Sequence, residues 1–141
     1  MRELFLSYAL AQVGIRYKWG GNNPVDGFDC SGLIQWLLAS VGLDPPGRQN
    51  AKQLYEHFSA QGGIQNEKVF GCLAFFGKSR SDISHVALIL NESQMLESGG
   101  GDHLCLTEAD AAARSACVKI SMISRRSDLI TTLKPRYPWV G

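Results

Sequence analysis

The stretch Gly27-Phe28-Asp29-Cys30-Ser31-Gly32-Leu33-Ile34-Gln35-Trp36-Leu37 decides how this chain is read. It passes from turn chemistry into an apolar helical pattern, and Cys30 sits at the changeover. Asp26-Gly27 is a turn signal. From about Asp29 to Val41, Leu33, Trp36, Leu37 and Val41 fall on one side at helical spacing, with Gly42 as the C-terminal stop. A thiol at a helix start meets unpaired N–H groups and the positive end of the helix dipole, and both stabilise a thiolate. Gly32 would leave space for a substrate beside the sulfur, where backbone N–H groups could hold an oxyanion. A small buried core cysteine fits the same position equally well.

On the N-terminal side, Leu4 to Val13 reads as an amphipathic helix, with Leu4, Tyr8, Ala11 and Ile15 on one apolar face. The loop Gly20-Gly21-Asn22-Asn23-Pro24 separates it from the Cys30 helix. Asp44-Pro45-Pro46-Gly47 then breaks the chain, and Asn50 N-caps a third helix with Leu54 and Phe58 inward. The second half changes character. Val69-Phe70, Leu73 to Phe76, His85 to Leu90, Gln94 to Leu96, Leu104 to Leu106 and Val118 to Met122 read as short strands. Asn91-Glu92-Ser93 suggests a hairpin, and Ala109 to Ala113 a brief helix. Helices followed by strands predict an α+β domain, its helices packed on a mostly antiparallel sheet, over residues 1–141.

That hairpin has a chemical consequence. His85 opens one apolar strand and Glu97 ends the next, so pairing through Asn91 to Ser93 would bring both side chains to one face. With Cys30 they would supply a nucleophile, a base and an orienting group. Taken singly, His85 reads as a satisfied structural histidine and Glu97 as an exposed strand-end carboxylate. Asp102 and His103, in the loop after Ser98-Gly99-Gly100-Gly101, would provide the third group in a different register.

Composition removes other classes. A net charge of +1 gives no electrostatic footprint for nucleic acid or for a polybasic membrane patch. No apolar run reaches the ~20 residues of a membrane span. Met1-Arg2-Glu3 precedes no basic leader and long apolar stretch, so nothing here is expected to direct export. Cys30, Cys72, Cys105 and Cys117 form no Cys-x-x-Cys pair, and His57, His85 and His103 stand at no zinc-like spacing from them.

Five ordered elements together resemble the NlpC-type cell-wall cysteine peptidases, a papain-like family. They are Tyr17-Lys18-Trp19-Gly20-Gly21, then Asp29-Cys30-Ser31-Gly32, then Arg48 with Gln53. Gly71-Cys72-Leu73-Ala74-Phe75-Phe76 and Ile83-Ser84-His85-Val86-Ala87-Leu88 complete the set. Glu97 stands where the family places a polar third residue, frequently histidine, and Cys72 replaces an aspartate in a surface or turn setting.

The resemblance implies a papain-like core and hydrolysis of peptidoglycan stem peptides at the γ-D-glutamyl–diaminopimelate (or lysine) bond. It makes Cys30 the nucleophile, His85 the base and Glu97 the orienting group. Tyr17, Asp29 and Ser31 would contact the substrate, with Arg48 a weaker candidate, and no metal or cofactor is implied. An N-acetylmuramoyl-L-alanine amidase would use the same apparatus. Lipid acyl transfer, known in relatives whose histidine precedes the cysteine, is disfavoured by the order here. A phage-tail or structural module that docks on peptidoglycan is the rival of a different class. Delivery to the wall would then depend on a phage tail, a secretion apparatus or lysis.

Overall fold

The computed structural model of the chain describes residues 1–63, 65–99 and 116–139. Three helices come first: α1 (Arg2–Leu10), α2 (Cys30–Ala39) and α3 (Ala51–Ala60). Two short strands, β1 (Asn22–Asn23) and β2 (Gly27–Phe28), pair ahead of α2. The remaining strands are β3 (Leu73–Ser79), β4 (Asp82–Ile89), β5 (Gln94–Gly99), β6 (Cys117–Met122) and β7 (Leu129–Leu133). They form one antiparallel sheet in the order β6-β5-β4-β3-β7. The α+β expectation of helices on an antiparallel sheet is met.

Strand alternation assigns the two faces. Leu73, Phe75, Val86, Leu88, Leu96 and Val118 point into the main core with Leu33, Ile34 and Leu37 of α2 and Leu54 and Phe58 of α3. Ala74, Phe76, Ala87, Ile89 and Met95 line the opposite face in a smaller cluster covered by Ile123 and Leu129. Each fully buried leucine or phenylalanine contributes about 1.5–3 kcal/mol, so the first face carries most of the stability.

Local chemistry sets the element ends. Asp29 caps α2 by accepting from the Gly32 N–H at 2.6 Å. Asn50 and Gln53 form a reciprocal capping box on α3, with both bonds at 2.8 Å. This accounts for Gln53 without any role in chemistry. Gly42, at φ +74°, ends the α2 segment, as its sequence position suggests. The hairpin also forms: Asn91 Oδ1 accepts from the N–H groups of Ser93 and Gln94 at 3.0 and 2.9 Å.

Three expectations are corrected. In α1 the inward stripe is Phe5 and Ala9, whereas Leu4 is 71% exposed. Phe5 enters an aromatic cluster with Phe70, Tyr137 and Trp139, at centroid separations of 6.2, 5.4 and 5.4 Å. A distant tail therefore sets the helix's rotation, beyond the reach of local periodicity. Val69-Phe70 is not a strand; it enters a turn in which the Cys72 N–H donates to the Val69 carbonyl at 3.2 Å. Cys72 itself is fully buried in the second apolar cluster and is no surface residue. The strand expected at Leu104 to Leu106, the helix expected at Ala109 to Ala113, and Asp102, His103 and Cys105 lie outside the described residues.

Candidate active site

Cys30 is the first residue of α2, held there by the Asp29 cap and half-buried. Asp29 is heavily engaged. Its Oδ1 accepts from Gly32 N–H and, at 3.3 Å, from Ser31 Oγ, while Oδ2 accepts from the Arg48 guanidinium. Arg48 also reaches the Gly21 carbonyl at 3.5 Å. The Arg48–Asp29 pair thus ties the loop before α3 to the start of α2. Ser31 is buried, so its hydroxyl acts through Asp29.

Gly32 has a different reason to be glycine from the one the sequence suggests. A Cβ there would stand 2.0 Å from the Gly21 carbonyl oxygen and 3.1 Å from Asn22 Cα. The missing side chain makes room for the chain's own Gly21-Asn22 loop, and not for substrate. Because both clashing neighbours are backbone, Gly32→Ala should cost about 2 kcal/mol or more and lower Tm by roughly 5–10 °C. Thermal unfolding followed by circular dichroism checks this; a Tm within a degree or two of wild type would mean the loop yields freely.

His85 and Glu97 meet from neighbouring strands. Leu88 pairs with Leu96 and Ile89 with Met95, and the regular β4–β5 ladder ends there. That register sets Glu97 beside Ala87, one diagonal step from His85 on the same face. The His85 Nε2 to Glu97 Oε1 distance is 2.7 Å, with Glu97 almost fully buried. Nε2 is thereby engaged by Glu97, and the Cys30 thiol acts electrostatically on the same imidazole from the start of α2. Phe76, opposite His85 in the β3–β4 register, packs its ring 5.6 Å from the imidazole.

The electrostatics follow. Burial by itself would push His85 down; its hydrogen bonds to Cys30 and Glu97, with their charges, outweigh burial and bring it up to about 9. Burial would likewise raise Glu97, but the hydrogen bond and charge of His85, with smaller contributions from Ser121 and Arg126, hold it below the ordinary carboxylate range. Both shifts favour an ionised imidazolium–carboxylate pair. Cys72 is the contrast. Burial pushes its thiol up, as expected of an inert core cysteine.

Tyr17 pairs with Phe28 in a parallel bridge, two residues before Cys30, and donates its N–H to the Ala116 carbonyl at 2.9 Å. Its ring meets Trp19 edge-on at 6.1 Å. Sequence reasoning quoted Phe76 as part of a strand element but missed Ser121 and Arg126, which surround the pair from the far side. They follow from strand register and a turn, neither of which has a motif. Among the described residues, no group of three or more histidine, cysteine or acidic side chains is placed to hold a metal ion. No helix among them is long and apolar enough to cross a membrane.

A helix-start thiol beside a buried imidazole and carboxylate, on an antiparallel sheet with helices packed against it, defines a papain-like α+β domain. The chain belongs to the NlpC/P60 family, whose pattern matches residues 14–119. It is 36% identical over 98 residues to the bifunctional muramidase/DL-endopeptidase CwlT of Bacillus subtilis, covering 68% of this chain and 29% of that protein. It is 32% identical over 100 residues to the gamma-DL-glutamyl hydrolase of the same organism, covering 68% and 23%. The chain thus spans less than a third of the length of these relatives. Among solved structures, RipD of Mycobacterium tuberculosis superposes with a TM-score of 0.66 at 24% identity, covering 96% of both chains. RipD is described as a non-catalytic NlpC/p60 domain protein adapted to peptidoglycan binding. The fold is therefore compatible with catalysis or with binding alone, and the side chains must distinguish them.

Proposed function

We propose that this chain is a cysteine endopeptidase domain that hydrolyses peptidoglycan stem peptides at the γ-D-glutamyl–diaminopimelate (or lysine) bond. The observation that carries the reading is the buried His85–Glu97 contact of 2.7 Å, with the Cys30 thiol acting on the same imidazole. A module that only bound its ligand would have no need to bury an imidazolium–carboxylate pair against a thiol, an arrangement that costs desolvation.

In the proposed cycle His85 takes the Cys30 proton first, and the sulfur then attacks the amide carbon with His85 as imidazolium. The Cys30 backbone N–H, which has no backbone acceptor among the described residues, holds the oxyanion with help from Tyr17. Collapse breaks the C–N bond, and His85 returns the proton to the leaving amine. Water, deprotonated by His85, then hydrolyses the thioester and frees Cys30. Glu97 orients the imidazole and stabilises its charged form. Tyr17, Asp29 and Ser31 form the non-primed side of the site; Asp29 and Arg48 present charge to the polar groups of the stem peptide, and Ser31 holds Asp29. The choice of bond is supported by the two relatives, a DL-endopeptidase and a gamma-DL-glutamyl hydrolase.

The test uses the synthetic peptide L-Ala-γ-D-Glu-diaminopimelate and its α-linked isomer. The γ-linked bond should be cut, with the isomer and casein fragments left intact. Equal cleavage of the α-linked isomer would refute the assigned specificity, and free muramic-acid sugar from intact muropeptides would favour the amidase. The binding-only alternative predicts no hydrolysis and no preferential alkylation of Cys30.

A further inference from the structure

Behind the pair stands a second set of charges that the reaction as described does not use. The 3-10 turn Ile123–Arg125 and the residues that follow it cross the sheet face opposite the helices. From this turn the Arg126 side chain, only 9% exposed, lays its guanidinium 4.8 Å over the Phe76 ring. Its Nε and Nη2 donate to the two carboxylate oxygens of Asp128 at 2.9 and 2.8 Å. Phe76 packs on His85 in turn, so Arg126, Phe76 and His85 are linked by successive contacts on one face of the sheet.

Glu97 needs more than His85. One of its oxygens, Oε2, is buried without a hydrogen-bond partner among the described residues, and so is the Ser121 hydroxyl. Ser121 lies opposite Met95 on β6, hence diagonal to Glu97 on the same face. A buried polar group left alone is costly, and these two lie on the same face of the sheet one diagonal step apart. The charged groups around Glu97 are His85 from β4, Lys119 directly across on β6, and Arg126 with Asp128 behind it. Lys119 is half-buried and makes no ion pair with Glu97. Glu97 feels the positive charge of Arg126, while Asp128 feels that of His85. The fork therefore offers each member of the pair an opposite charge, and Asp128 limits repulsion between Arg126 and the imidazolium.

We propose that Arg126 and Ser121 are positioning residues that hold Glu97 as the charged, oriented partner of His85, with Asp128 fixing Arg126. This rests on the reading of Glu97 as the third group of the peptidase site. The test follows the carboxyl carbon of Glu97 by NMR through a pH titration, with Glu97→Gln giving the assignment. Wild type, Arg126→Met, Arg126→Lys and Ser121→Ala are compared, and kcat and KM on the stem peptide are measured between pH 4.5 and 7. Methionine keeps an apolar stem over Phe76 and removes the charge; lysine keeps the charge and loses the fork. Arg126→Met should raise the Glu97 titration midpoint by about 0.5–1 pH unit and move the acid limb of kcat up by the same amount, with KM unchanged. Arg126→Lys should restore most of both, and Ser121→Ala should move the midpoint in the same direction by less. A Glu97 midpoint in Arg126→Met equal to wild type overturns the proposal, as does equal displacement by lysine and methionine in folded protein. Should Arg126→Met not fold, Arg126→Gln, whose amide can still bond Asp128, takes its place with the same two outcomes. The NMR arm needs no substrate, so a wild-type protein that leaves the stem peptide uncut would refute the peptidase reading and leave this result standing.

Discussion

Cys30→Ala should abolish hydrolysis of the stem peptide, a loss of at least about a thousandfold, while Cys72→Ser, Cys105→Ser and Cys117→Ser should keep most of the turnover per folded molecule. The expectation follows from the separate environments of the thiols. Cys30 stands at the start of α2 and acts electrostatically on the buried imidazole of His85. Cys72 is sealed in an apolar cluster where burial disfavours its thiolate, so it has neither access nor charge. Cys72→Ser should instead cost stability, about 1–3 kcal/mol, because its hydroxyl would enter an apolar pocket. Activity per folded molecule, normalised by circular dichroism, separates the two effects. A comparable loss in any of the other three variants would displace Cys30 from its assigned role.

Glu97→Gln should lower kcat/KM roughly 10- to 1000-fold, and Glu97→Ala more, because glutamine keeps an acceptor for the histidine N–H and alanine keeps nothing. Neither should add much to the loss in Cys30→Ala, since groups that act as a unit are not additive. The pH profile carries further information. His85 holds its proton up to about 9 in the folded protein against an ordinary 6.5, so the alkaline limb of wild-type activity should fall near pH 9. Without the Glu97 charge that limb should move down toward 6.5. Stability has a matching dependence. The contribution of His85 is complete below 6.5 and is lost as pH rises through about 9. That of Glu97 is present above 4.5 and is lost as pH falls through its lowered folded value, so the pair stabilises most between 4.5 and 6.5. Variants that keep wild-type turnover and the same alkaline limb would reduce Glu97 to a buried structural carboxylate.

Much of the site can be read in the chain because its parts are local. Asp29 caps the helix that Cys30 begins, Asn50 and Gln53 cap the next, and the Asn91 turn sets the step from His85 to Glu97. Each depends on a few neighbouring residues, and periodicity or turn chemistry suffices. What could not be read depends on distant partners. Phe5 faces inward because Tyr137 and Trp139 return to it from the other end of the chain, and Leu4 is left outside. Leu129–Leu133 joins the sheet edge through β3 with no alternation to announce it, and its burial is graded along the strand. Gly32 suggests an open approach to the sulfur until Gly21 is seen lying against it. Arg126 resembles a surface residue of a basic pair, yet it is buried over Phe76 because Asp128, two residues on, neutralises it.

The most direct test of the peptidase assignment is mass spectrometry of purified muropeptides after incubation with the protein and, in parallel, with Cys30→Ala. The wild-type chain should convert disaccharide peptides to disaccharide-L-Ala-D-Glu, releasing fragments that begin with a free diaminopimelate or lysine amine, and Cys30→Ala should leave them unchanged. Release of the disaccharide from an intact stem peptide, or an unchanged muropeptide profile with active-site-competent wild-type protein, would contradict it.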